Sequence, residues 1–200
     1  MESLTDTIHA RAGRLPEGTP VSTSTFLDLG TKRAIRNALL RLLRAQKLLR
    51  VGRGIYVVPV VSRFGNSAPS AHLFVEQLSR QSGLVIVPSG ATTANALGLT
   101  TQVPVQMAYW TSGRSRKFNL GKLVLHLERV ASWQLVLARE PAGEIVRALA
   151  WAGPERVHTV LREIEGKVPR TDVIKVAQQA SRFPRWLAEA LSRIAGSAQQ

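Results

Sequence analysis

Residues 30–59 read GTKRAIRNALLRLLRAQKLLRVGRGIYVVP, and this stretch decides how the first third of the chain is expected to fold. Gly30 turns the chain and Thr31 is a good N-cap, so a helix is predicted to start at Lys32. Ile35, Ala38, Leu39 and Leu42 recur at i, i+3, i+4 and i+7, a single apolar stripe. At about 100° per residue, Arg33, Arg36, Asn37, Arg41, Arg44 and Lys47 gather on the opposite side. Leu48–Val51 and Ile55–Val58 then read as two short strands. Gly52-Arg53-Gly54 joins them in a tight hairpin, because glycine supplies the positive φ such turns need.

The charge of this stretch is one-signed. Lys32, Arg33, Arg36, Arg41, Arg44, Lys47 and Arg50 lie on the helix and its exit, Arg53 sits in the turn, and no acidic residue occurs from Leu29 to Val75. A solvated helix normally mixes signs to gain i,i+4 pairs. An all-basic face threaded through an apolar repeat is suited to a polyanion.

Upstream, Ser3 and Asp6 form an S-x-x-D helix start, and Leu4, Ile8, Ala12 and Leu15 follow at helical spacing. That first helix closes in the loop from Pro16 to Pro20. Thr23 or Ser24 is expected to cap a short second helix carrying Phe26, Leu27 and Leu29. Helix, helix, basic helix, hairpin is the order of a winged helix-turn-helix, here assigned to residues 1–62.

Composition agrees with a nucleic-acid partner. The 200 residues carry a formal charge of +14, of which +7 falls in residues 1–63. The absence of cysteine excludes disulfides and thiolate chemistry. The first residues show neither a basic n-region nor an apolar h-region, and no apolar run approaches the roughly 20 residues that span a bilayer. The expectation is a cytoplasmic protein with no membrane partner.

Residues 62–70 read as a linker, and residues 70–200 as a second, mixed domain. Ala71–Gln81 is a predicted helix, Leu84–Val87 a short strand, and Ser89-Gly90 opens a short helix that Gly98 ends. Pro104 forces an extended segment. Val105–Thr111, Arg116–Asn119 and Lys122–Glu128 are expected to form a three-stranded antiparallel meander, with Leu123, Leu125 and Leu127 on one face of its last strand. Ala142–Trp151, Pro154–Glu165, Arg170–Ser181 and Pro184–Ala195 form a helical C-terminal tail, Pro154 and Pro184 standing at first-turn positions. The fold class is α+β.

Within a helix-turn-helix, the N-terminal half of the third helix lies nearest the base edges. Lys32, Arg33, Arg36 and Asn37 occupy it, and arginine pairs bidentately with guanine as asparagine does with adenine. Arg41, Arg44 and Lys47 are better placed for phosphates, and Arg53 for a phosphate or a minor groove. Thr31 and Arg50 border this set. A second set, Arg114, Arg116 and Lys117, crowds the turn after Ser112-Gly113; it is either a further nucleic-acid or toxin contact or an ordinary charged tip.

No catalytic constellation assembles from the inventory. The three aspartates are Asp6, Asp28 and Asp172, and His9, His72, His126 and His158 have no metal-ligand spacing. His126-x-Glu128 lacks the P-C-x-x-C partner of a deaminase, and Ser89 lacks a G-x-S-x-G elbow and reads as an N-cap. An enzyme is therefore not expected, and neither a cofactor nor a metal is called for.

Several short words, taken in order, carry a family likeness. They are Ser89-Gly90-Ala91, Ala94-Asn95-Ala96-Leu97-Gly98-Leu99, Thr101-Gln102-Val103-Pro104 and Tyr109-x-Thr111-x-Gly113-x-Ser115-Arg116. Phe26-Leu27-Asp28-Leu29-Gly30 and Arg50-x-Gly52-Arg53-Gly54-Ile55-Tyr56 precede them. Over residues 5–150 the chain resembles the AbiEi-like antitoxins of type IV abortive-infection systems, and Pro184-x-Trp186 is compatible. The resemblance implies an N-terminal domain that binds operator repeats, typically inverted, and represses its own operon. It also implies a remaining domain that neutralises a nucleotidyltransferase-like toxin, directly or without a stable complex. Two other readings share the basic face: a binder of structured RNA such as tRNA, and an interaction module for an acidic protein. The basic helix has no aromatic residue for base stacking, which counts against RNA.

Overall fold

The structure is a computed structural model that describes residues 3–63, 65–103 and 106–197. Pro104 and Val105, the expected extended entry to the central sheet, lie outside them. The chain forms two compact units, one of residues 1–84 with 117–126, the other of residues 85–116 with 127–200. The break expected at 62–70 is not where the units divide.

The first unit opens with α1 (Leu4–Gly13), whose cap is the one expected: the Ser3 hydroxyl accepts from the Asp6 N–H at 3.2 Å. A single 3-10 turn, Thr23–Phe26, stands where a second α-helix was expected. Val21 exchanges both backbone hydrogen bonds with Tyr56, at 2.8 and 2.9 Å, and the Thr25 hydroxyl accepts from the Ser22 N–H at 3.0 Å. Extended pairing up to Val21 and side-chain competition for the backbone leave room for one tight turn. Leu27 is consequently 46% exposed instead of lining a helix face.

α2 (Lys32–Arg44) follows, capped by Thr31, whose hydroxyl accepts from the Ala34 N–H at 3.2 Å. Ile35, Ala38, Leu39 and Leu42 are buried as predicted, against Ile8, Ala12, Val21, Phe26, Leu48 and Tyr56. β1 (Leu49–Gly52) and β2 (Ile55–Val57) pair antiparallel across Arg53-Gly54. Gly54 supplies the positive φ, at 69°.

The expected linker contains a second hairpin, β3 (Val60–Ser62) with β4 (Gly65–Ser67). The Asn66 amide donates to the Gln46 carbonyl at 3.3 Å, which ties this hairpin to the exit of α2. α3 (Ala71–Ser82) then lies in the same unit as α2, its Phe74 stacked edge-on against Phe118 with ring centres 5.0 Å apart.

β5 (Ile86–Pro88) and α4 (Gly90–Ala96) follow, with Ser89 as N-cap, accepting from the Thr92 N–H at 3.3 Å. β6 (Met107–Thr111), β7 (Arg116–Leu120) and β8 (Leu123–Arg129) complete a four-stranded sheet of order β5-β6-β8-β7. The strands expected as a meander are present, but β8 lies between β6 and β7. Residues 112–115 are therefore an arch over a strand and not a hairpin tip. The Ser115 hydroxyl accepts from the Arg129 N–H at 2.9 Å and holds the arch to the far end of β8. Leu125 and Leu127 are buried, whereas Leu123, at the strand's start, is 36% exposed.

The C-terminal part is helical. α5 (Ala142–Glu165) is broken at Gly153, so it is two helices meeting at Gly153-Pro154, as the sequence divides them. α6 (Arg170–Ala177) ends earlier than expected, and a 3-10 turn, Ala180–Arg182, leads to α7 (Arg185–Ser197). Ile145, Leu149, Val160, Ile164, Val176 and Leu187 centre this core.

Candidate nucleic-acid interface

All ten residues that the sequence assigns to a DNA contact are exposed: Thr31, Lys32, Arg33, Arg36, Asn37, Arg41, Arg44, Lys47, Arg50 and Arg53. Burial of the apolar stripe fixes the rotation of α2, and helix geometry does the rest. Arg33, Arg36, Asn37, Arg41 and Arg44 fall within an arc of about 140° centred opposite the stripe. Lys32, in the first turn, lies about 40° outside that arc, on the side of Leu39. Leu40, half-buried, lies inside it; its place was legible from the 100° step but hidden by the apolar repeat around it. It offers the arc one apolar group, of the kind that contacts a thymine methyl.

No cation of this face forms an ion pair among the described residues. Arg11 pairs with Asp28, Arg80 with Glu76, Lys175 with Glu140 and Arg185 with Glu189. Asp28 and Asp6 each have a hydrogen-bond partner outside this face. Asp28 is held below the usual carboxylate range chiefly by its hydrogen bond from Arg11. Asp6 is lowered chiefly by the Ser3 hydroxyl, 2.7 Å away, with a smaller contribution from the charge of Lys47. Two residues of the set have internal work: Thr31 caps α2, and the Arg50 Nε donates to the Gly52 carbonyl at 3.2 Å. Arg53 occupies the β1–β2 turn with its side chain exposed.

Arg114, Arg116 and Lys117 are also exposed. Arg114 lies in the arch and the other two open β7, so they do not share one hairpin tip, as expected from the turn signal alone.

Other surfaces offer less chemistry. A cavity lined by Val85, Ser112, Arg129, Val130, Ala131, Ser132 and Leu135 contains one ionisable lining residue, Arg129. Among the described residues no three acidic or histidine side chains gather where they could hold a metal. No helix of the described residues is long and apolar enough to cross a membrane. One charged side chain escaped the sequence reading altogether: Arg147, buried in α5. Its neighbours Ile145, Val146, Ala148 and Leu149 make that stretch apolar on nearly every side, and a helix of this kind is buried all round. That pattern was the available signal.

A family model described as "Family of unknown function (DUF6088)" matches residues 7–175. No curated protein matches. The RV2827C protein from Mycobacterium tuberculosis is similar in structure, with a TM-score of 0.50 and 13% identity over 97% of this chain and 76% of that one. At that identity the likeness is one of fold.

Proposed function

The chain belongs to the DUF6088 family, and we propose that within it this protein is a DNA-binding transcriptional autorepressor. α1, the turn at Thr23–Phe26 and α2 make its helix-turn-helix, and β1–β2 the wing. The observation that carries the reading is the outer face of α2, where Arg33, Arg36, Arg41 and Arg44 stand exposed without an acidic partner among the described residues. Arg33, Arg36 and Asn37 read base edges in the major groove. Lys32, Arg41, Arg44, Lys47 and Arg53 hold phosphates, Lys32 because it stands outside the arc at the start of the helix.

The resemblance to the AbiEi-like antitoxins supports a second role, neutralisation of a nucleotidyltransferase-like toxin in the cytoplasm, and an operator of inverted repeats. Neither role asks for a cofactor or for catalysis by this chain.

Electrophoretic mobility shifts test the DNA reading, with duplex from immediately upstream of the protein's own gene, scrambled duplex and total tRNA at two salt concentrations. Preference for the upstream duplex that survives the higher salt is the expected result. Equal retention of all three, lost at the higher salt, would leave only a basic protein without an operator. Preference for tRNA would favour the RNA reading.

A further inference from the structure

Arg147 is 3% exposed, and its Nη1 has no hydrogen-bond partner among the described residues. Its Nε donates to the Thr93 hydroxyl at 3.3 Å, a long contact to a neutral group. The acid whose charge acts on it is Glu144, one turn earlier on α5; that side chain is exposed and makes no ion pair with it. An arginine keeps its charge under all ordinary conditions. Buried without a counter-charge, it is destabilising, and a methionine or leucine would fill the space without that cost.

The surroundings are polar in a way the rest of this core is not. Ser89 and Thr93, on the α4 side, are both buried. Gly90 between them is pressed so closely that an added Cβ would lie 2.5 Å from the Trp110 ring and 2.7 Å from the Arg147 carbonyl. α4, α5 and β6 therefore pack tightly here, with the Ser89 hydroxyl engaged on Thr92 and the Thr93 hydroxyl on the guanidinium. With Nε engaged on Thr93, Nη1 is left with unused N–H donors, and the planar donor set of an arginine matches the paired oxygens of a carboxylate or phosphate.

We propose that Arg147, with Thr93, binds a small oxyanion of the phosphate or carboxylate class, as a ligand site separate from the basic face of α2. The site stands on its own observations and does not depend on the DNA reading.

Thermal unfolding of the full chain tests it, with inorganic phosphate titrated against chloride at equal ionic strength, and acetate as a second arm to separate carboxylate from phosphate. Either oxyanion is expected to raise the wild-type midpoint saturably, by about 5 °C at a hundred-fold excess over its dissociation constant. Arg147→Met should abolish the rise while Arg33→Gln/Arg36→Gln retains it. A wild-type midpoint that follows ionic strength alone overturns the proposal, and so does a rise retained by Arg147→Met. Should that variant fail to fold, crystals of the wild-type chain soaked in tungstate decide: an anion within hydrogen-bond distance of Nη1 is expected. A water or nothing there would refute the site.

Discussion

Lys32 and Arg33 occupy the first turn of α2, where the unpaired N–H groups give the helix end a partial positive charge. Each cation there costs about 0.3–1 kcal/mol. The first turn of α2 contains no acid, whereas α1 places Asp6 at the same point. A sequence selected for stability alone would use glutamate. The Lys32→Glu/Arg33→Glu variant is therefore expected to gain about 1 kcal/mol in urea unfolding and to lose detectable operator binding in the same preparation. Lower stability, or intact binding, would show that these cations serve the fold. Asn37 and Arg53 separate specificity from affinity. Asn37→Ala should relax preference at one operator position, while Arg53→Ala should weaken all duplexes alike; a selection on randomised duplex measures both. Asp28 gives a pH test. Its folded pKa is depressed, so its bond to Arg11 stabilises above the unfolded value of 3.8 and is lost as pH falls through the folded one. Asp28→Asn should lower the melting midpoint slightly at pH 7 and not at pH 2. A difference that persists in acid would mean the carboxylate charge is not what stabilises.

At the scale of elements, Gly153 is the sharpest single position. Its φ of 68° with ψ of 179° divides α5, and nothing lies within 4 Å of where a Cβ would be. The cost of Gly153→Ala is then conformational and not steric, about 1–3 kcal/mol, readable in urea unfolding. A neutral substitution would mean that alanine adopts this backbone without cost, and that the break belongs to Pro154 instead. Elements like this one were legible because their signals are local. Caps at Ser3, Thr31 and Ser89, the stripe from Ile35 to Leu42, and the Gly-Pro break each act within a few residues. Pairing was not legible. Turn residues mark where β6, β7 and β8 end, but which strand lies beside which depends on contacts far apart in sequence. The same limit hid Val21's bridge to Tyr56, which reduces the second helix to a single turn, and the small β3–β4 hairpin inside Ser- and Gly-rich sequence. The candidate DNA face was legible because one amphipathic helix defines it. Arg147 was legible only in part: the apolar run around it signals a helix buried all round, but its unpartnered Nη1 shows only once α4 packs on α5.

At the scale of the molecule, a chain of charge +14 attracts any polyanion. Affinity for DNA alone therefore decides nothing, and the salt dependence of binding does. Five phosphate contacts per subunit release about five counterions, so log K should fall with log salt at a slope of about −4 to −5, twice that for a dimer on two half-sites. Removing Arg41, Arg44 and Lys47 by glutamine should make the slope shallower by about one for each cation, on operator and scrambled duplex alike. The ratio between the two duplexes should meanwhile hold, because Arg33, Arg36 and Asn37 remain. Diffuse attraction predicts otherwise: three charges lost from 27 basic residues would barely change the slope. A slope unmoved by the triple substitution would take Arg41, Arg44 and Lys47 out of the interface, whatever the protein's affinity for its operator.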